Sequence, residues 1–362
     1  MISFNPISFV PQLQYRLWGG NKLSTQLNKK GQGENNGESW EISAVPGFES
    51  EVASGKHKGK KLTELIAAFP KELLGEAVTE RFGSAFPLLI KFIDAKIPLS
   101  VQVHPNDELA KERHNSFGKN EMWYILDAEP DAELIMGFNQ EIDKQQYQKL
   151  LKENRVEEVL HREKVSAGDV VYIPTGRIHA IGGGVLLAEI QQSSDVTYRV
   201  YDYNRVDAQT GKTRELHNDL ALDALDFSVQ KTHKIDYPKK VNQVNTIVET
   251  PYFTTSFLPV NGTLKREYPN YDSFRVLMCV SGSLSVSYAE EEYPLANGSC
   301  LLIPAAIEQL SIQGKGDCLE VFVPDQVRND RDQVQNDRDQ VRNDRDQVRN
   351  DRDQVRNDRD QA

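Results

Sequence analysis

The chain has 362 residues, 38% of them hydrophobic and 8% aromatic, which is enough apolar material for two cores in a globular protein. Its net charge of -11 argues against nonspecific nucleic-acid binding and requires a local basic pocket for any anionic ligand. With no membrane-length apolar window, no signal-like start and an odd set of cysteines (Cys279, Cys300, Cys318) lacking metal-like spacing, a cytoplasmic protein with reduced, packed thiols is expected.

Short strands and turns are expected through about Val52. A helix follows over 61–68, where apolar residues recur at 62, 65, 66 and 69, and a second is predicted over 71–82. Leu88 to Ile93 reads as an apolar run interrupted by Lys91, whose stem can pack along a sheet while the ammonium reaches outward. In Ser100-Val101-Gln102-Val103-His104-Pro105, strand alternation places Ser100, Gln102 and His104 on one face and Leu99, Val101 and Val103 on the other. That division suits a barrel wall, polar inside and greasy outside.

The next strand signal, 119–126, puts Lys119 and Glu121 on one face. A helix-like segment over 140–158, with Tyr147, Leu150 and Leu151, reads as an insertion into the barrel. Val170–Ile173 is a strand after the turn-like Gly168-Asp169, and it runs into a Gly-rich corner presenting His179. Gly182 to Gly184 lacks the Gly-Lys-Ser/Thr ending and following helix of a phosphate loop, so a tight hairpin is expected there. Asp202 to Arg205 is expected to extend the strand that carries Arg199, and a helix is predicted over 218–225 with Asn218 as N-cap.

From about Val241 the pattern is purely β, with strands predicted over 274–280, 282–287, 299–304 and 318–322. This stretch contains no histidine, so no metal is expected in it. After Pro324 a heptad built on Asp-Gln-Val-Arg-Asn-Asp-Arg runs to Ala362. It carries one valine per heptad where a coiled-coil seam needs two apolar positions, so a disordered or transiently helical polyampholyte, dispensable for activity, is expected.

Gln102, His104, Glu121 and His179 together form a candidate donor set. Two imidazoles, a carboxylate and a neutral amide oxygen suit a borderline divalent cation such as zinc, with a position left for water or substrate. A centre of this kind polarises hydroxyl or carbonyl oxygens and stabilises a developing enediolate. His57, His114, His161, His217 and His233 stand in polar surroundings without ligand-spaced partners and read as surface residues.

Pro87 to Lys91, Ser100 to Pro105, Lys119 to Met122 and Pro174 to Ala180, with Leu17 to Gly20 and Glu38 to Glu41, resemble type I mannose-6-phosphate isomerases of the short bacterial form. The resemblance covers roughly residues 8–323 and keeps the order of the motifs. It implies a mainly β protein: a cupin (jelly-roll) barrel with inserted helices over 1–240, a smaller cupin-like β domain over 241–324, and an unrelated tail over 325–362. It further implies one zinc per chain on Gln102, His104, Glu121 and His179, and interconversion of mannose 6-phosphate and fructose 6-phosphate. By the same resemblance Arg199 and Glu189 are catalytic, and Lys91, Ser100 and Lys119 bind the sugar phosphate.

The proton carrier stays open among Glu189, a zinc-bound water and another side chain, and so do three alternatives. Glu189 and Arg199 can form a structural salt bridge with each other. Two histidines and a carboxylate in a cupin also describe iron oxygenases, with Gln102 a bystander. A sugar-phosphate-binding protein without turnover is the third.

Overall fold

The computed structural model describes residues 4–31, 35–207, 210–268 and 273–325. The repeat tail, and with it the expectation of disorder, lies outside them apart from Asp325. Eleven strands build the first part of the chain: β1 (Gln12–Gly20), β2 (Asn36–Ile42), β3 (Leu88–Ala95), β4 (Val101–Val103), β5 (Glu121–Ala128), β6 (Glu133–Phe138), β7 (Leu160–Lys164), β8 (Val170–Ile173), β9 (His179–Ile181), β10 (Val185–Gln192) and β11 (Tyr198–Tyr201). They form one sheet in the order β1-β2-β3-β10-β5-β8 and a second in the order β11-β4-β9-β6-β7, the two walls of a cupin barrel.

Alternation decides what each wall presents. On the first sheet Leu88, Ile90, Phe92, Met122, Tyr124, Ala188 and Ile190 face outward into a core shared with the helices Leu62–Ala68 and Pro70–Leu74. Lys91, Glu121, Trp123 and Glu189 alternate with them and face the lumen. On the second sheet Val101, Val103, Ala180, Tyr198 and Val200 pack outward against Tyr147 of the inserted helix Lys144–Lys152 and Ala221 of the helix Asn218–Ala224. Gln102, His104 and His179 thereby point inward. An apolar layer that includes Ile93, Ile125, Leu134, Met136, Ile181 and Leu187 follows the polar layer along the lumen.

Several sequence expectations change in detail. The helix expected over 71–82 is two, Pro70–Leu74 and Glu76–Phe82, because Gly75 between them takes φ 94°, which no helix accommodates. Asn218 is the first residue of its helix rather than its N-cap, a position held by His217. The glycine run is no hairpin: β9 and β10 belong to different sheets, and the run turns the corner between them, with Gly184 at φ 81°. The strand carrying Arg199 ends at Tyr201. Tyr203 and Asn204 adopt left-handed backbone and form a turn, while Asp202 is buried against Arg205 and Arg214.

The remaining strands are β12 (Asn245–Glu249), β13 (Thr254–Glu267), β14 (Arg275–Tyr288), β15 (Glu291–Ala296), β16 (Cys300–Ile303) and β17 (Gln309–Phe322), paired β12-β13-β17-β14-β15 with β16 on β14. Two strands expected on either side of Ser281 are one. A bulge between Cys279 and Ser281, followed by Gly282 at φ 73°, bends β14 without ending it, so what reads locally as a turn is a kink. All three cysteines are buried and unpaired. The outer face of the first barrel sheet packs on this third sheet, with Tyr124 stacked on Phe257 and Phe86 against Phe274.

Candidate active site

The polar layer of the lumen gathers donors from both walls. Strand β4 pairs with β9 at the single position Gln102↔His179, and β11 sets Arg199 opposite Gln102. From the facing sheet β5 contributes Glu121. His104, Glu121 and His179, each at most 1% exposed, bring one ligand atom apiece within 4.8 Å of one another. No other such group of three occurs among the described residues.

Each imidazole is oriented by a backbone carbonyl. His104 Nδ1 lies 3.0 Å from the Val196 oxygen and His179 Nδ1 lies 2.8 Å from the Arg177 oxygen. A carbonyl only accepts, so both Nδ1 atoms carry hydrogen and both Nε2 lone pairs face the centre. Burial, reinforced by the Lys119 charge, pushes the His104 pKa well below its ordinary value, and burial likewise holds His179 at about 3. Neutral rings of this kind are the metal-binding form.

Glu121 completes the set. Burial raises its pKa to about 7 against the pull of Lys119, whose ammonium touches Oε2 and stands 3.0 Å from His104 Nε2. Oε1 lies 3.3 Å from His179 Nε2, a nitrogen with no proton to offer, and no hydrogen-bond donor reaches it among the described residues. Converging acceptors with an orphaned carboxylate oxygen fit a cation. Gln102 donates from Nε2 to His179 Nε2 at 3.3 Å, and a half-turn of its amide presents Oε1 to the same centre.

Beside this set lies a cavity of about 170 Å³, lined by Lys91, Ser100, Gln102, Lys119 and Glu189 among others. Lys91 does not reach outward. It is 6% exposed, 3.0 Å from Glu189 Oε2, 4.0 Å from Glu38 Oε2 and over the Trp40 ring. Burial disfavours its charge, but Glu189 and Glu38 outweigh that and raise its pKa. Burial also works against ionised Glu189, and Lys91 and Lys119 reverse the balance, lowering its pKa. Glu189 therefore pairs with Lys91, not with Arg199. Arg199 shares the inward face, yet its guanidinium donates to the Glu215 carbonyl at 2.8 Å and does not line the cavity.

Glu38, Arg16 and Arg214, which also line the cavity, and Trp123, which donates to Glu189, were not among the expected site residues, although Glu38 stands in one of the motifs that carry the resemblance. Glu38 receives two hydrogen bonds from Arg16, at 3.0 and 3.1 Å, and one from Trp40 at 2.6 Å. Burial resists its ionisation, but Lys91 and Arg16 bring its pKa down to about 2. The available signal was alternation: Trp123 shares the face of Glu121 two residues earlier. Of the five histidines expected at the surface, His233 is buried, laid on His161 at 4.0 Å between ring centroids by a segment that bridges Val171 through Lys234.

The chain matches the model of the type I phosphomannose isomerase catalytic domain over residues 7–139 and that of the mannose-6-phosphate isomerase cupin domain over 243–323. It is 35% identical to the mannose-6-phosphate isomerase ManA of Bacillus subtilis over 319 residues, 87% of this chain and 98% of the relative. The chain belongs to the type I mannose-6-phosphate isomerase family. A second family member, from Streptococcus mutans, is 34% identical over 85% of this chain and 95% of its own length. The crystal structure of a Bacillus subtilis mannose-6-phosphate isomerase superposes with a TM-score of 0.80 at 33% identity, covering 88% of this chain and 99% of that one.

Proposed function

We propose that this chain is a zinc-dependent aldose–ketose isomerase interconverting D-mannose 6-phosphate and D-fructose 6-phosphate through a cis-enediolate. The observation that carries the reading is the convergence of His104, Glu121 and His179 on one buried point beside a cavity walled by an ion-paired lysine and carboxylate. Zinc held by these three with Gln102 would supply a Lewis acid for sugar oxygens.

The chain's own residues perform the proton transfer. Glu189, kept ionised by Lys91, takes the C2 proton of the open-chain aldose and returns it to C1, while the O2 hydroxyl proton passes to O1. Lys91 and Lys119 offset the negative charge that develops on the enediolate oxygens, and Ser100 lines the wall beside them. Arg199, released from the Glu215 carbonyl, offers its guanidinium to the phosphate. The substrate's charge supports a cytoplasmic setting, and no helix among the described residues is long and apolar enough to cross a membrane. The 241–324 segment serves packing and shielding.

A coupled assay with mannose 6-phosphate tests the proposal: turnover disappears on chelation and returns with zinc. Absence of turnover in the zinc-restored protein overturns it. Bound iron with oxygen consumption would assign the same two histidines and Glu121 to an oxygenase instead.

A further inference from the structure

We propose that Trp123 is a positioning residue that acts through Glu189, its indole N–H fixing the carboxylate against the Lys91 ammonium. The inference rests on the proposed role of Glu189 as proton carrier. Trp123 is fully buried and does not line the cavity, so it reaches a bound sugar only through a neighbour. Strand pairing sets it there: Glu189 stands between Trp123 on β5 and Lys91 on β3 at one level of the sheet. All three side chains project into the lumen, and Glu189 is gripped from both sides, Oε1 by Trp123 Nε1 at 3.0 Å and Oε2 by Lys91 Nζ at 3.0 Å.

The two contacts divide the work. An ion pair alone leaves a carboxylate free to swing about its last torsion, since the ammonium is a compact charge with little directional demand. The indole N–H is directional, and its ring is fully buried in an apolar cluster with Ile125, Ile173 and Val171, its cross-strand partner. It therefore sets the plane of the Glu189 carboxylate and hence which lone pair meets the reacting carbon. The ring also stands edge-on to His179, with 5.6 Å between centroids, so a second route of influence has to be separated by experiment.

Trp123→Phe keeps an aromatic ring and deletes the N–H. The expected result is a fall in kcat of about tenfold or more with KM for mannose 6-phosphate within about twofold, the scale of losing a hydrogen bond to a charged group. Zinc content should be unchanged. Glu189→Gln supplies the decisive background: there, adding Trp123→Phe should change kcat by less than about twofold, because residues acting as one unit are non-additive. Full additivity of the two substitutions, an unchanged kcat in Trp123→Phe, or loss of its zinc would each overturn the inference. Undiminished turnover in Glu189→Gln alone would instead remove the reading of Glu189 on which the inference is built.

Discussion

Gln102 and His179 face each other across the single residue pair that joins β4 to β9, with 3.3 Å between their side-chain nitrogens. The two donors thus arrive as neighbours on one wall, His104 extends the same edge, and only Glu121 comes from the opposite sheet. Removing donors from this wall should have graded effects. His179→Ala, which deletes an imidazole whose tautomer is already fixed, should leave purified protein with little bound zinc. Gln102→Ala should weaken zinc affinity by about tenfold or more while leaving a His-Glu-His core. Metal analysis after dialysis against a graded chelator checks both, and equal zinc retention in Gln102→Ala and the unaltered chain would exclude Gln102 from the set.

Glu38 gives a pH dependence with a definite sign. Its pKa falls from 4.5 to about 2 on folding, so its contribution is fully present above pH 4.5 and is lost as pH falls through about 2. The shift corresponds to a contribution on the order of 3 kcal/mol. Glu38→Gln should lower the melting temperature at neutral pH and flatten the acid limb of a plot of stability against pH. Parallel acid limbs for the two proteins would show that Arg16 and Lys91 do not stabilise this carboxylate.

Gly182 begins the corner that leads from β9, the strand of His179, to β10. A Cβ there would stand 2.0 Å from the Glu133 carbonyl oxygen, a backbone atom that cannot step aside. Gly182→Ala should destabilise the fold by about 1–3 kcal/mol and displace the β9 pairing with it. Thermal melts with zinc titrations check this; an alanine variant with unchanged melting and zinc affinity would mean that the corner relaxes freely.

Arg199 is expected to move. Its guanidinium is parked on the Glu215 carbonyl, and Arg199→Ala should raise KM for the sugar phosphate by about tenfold or more as a charge-assisted contact is lost. Steady-state kinetics decide the matter, and near-normal turnover with normal KM would remove this residue from the reaction.

Much of the site was legible because alternation is a strict constraint on a barrel wall. The valines flanking Gln102 had to find grease, and Val101 and Val103 do so against Ile135 and Phe138, which fixes Gln102 and His104 on the other side. What could not be read depends on partners remote in the chain. Lys91 turns inward because Glu189 and Glu38 await it from two other strands, and the Arg199 guanidinium is diverted by a main-chain oxygen sixteen residues away. The break at Gly75 and the continuity through Gly282 show the same residue type ending one element and merely bending another: β14 keeps its pairing with β17 on both sides of the bulge, and a helix has no such ladder to carry it past a glycine of positive φ.

The core that joins the helices, the outer face of the first barrel sheet and the third sheet also takes in Phe4, Ile7 and Phe9 from the beginning of the chain, and Ile7 bridges to Leu302 by backbone hydrogen bonds in both directions. Neither half can therefore melt without stripping the other of its apolar cover. A calorimetric trace of this molecule should show one endotherm, and residues 243–323 expressed alone should be prone to clump through the naked surface that Tyr124 and Phe86 otherwise shield.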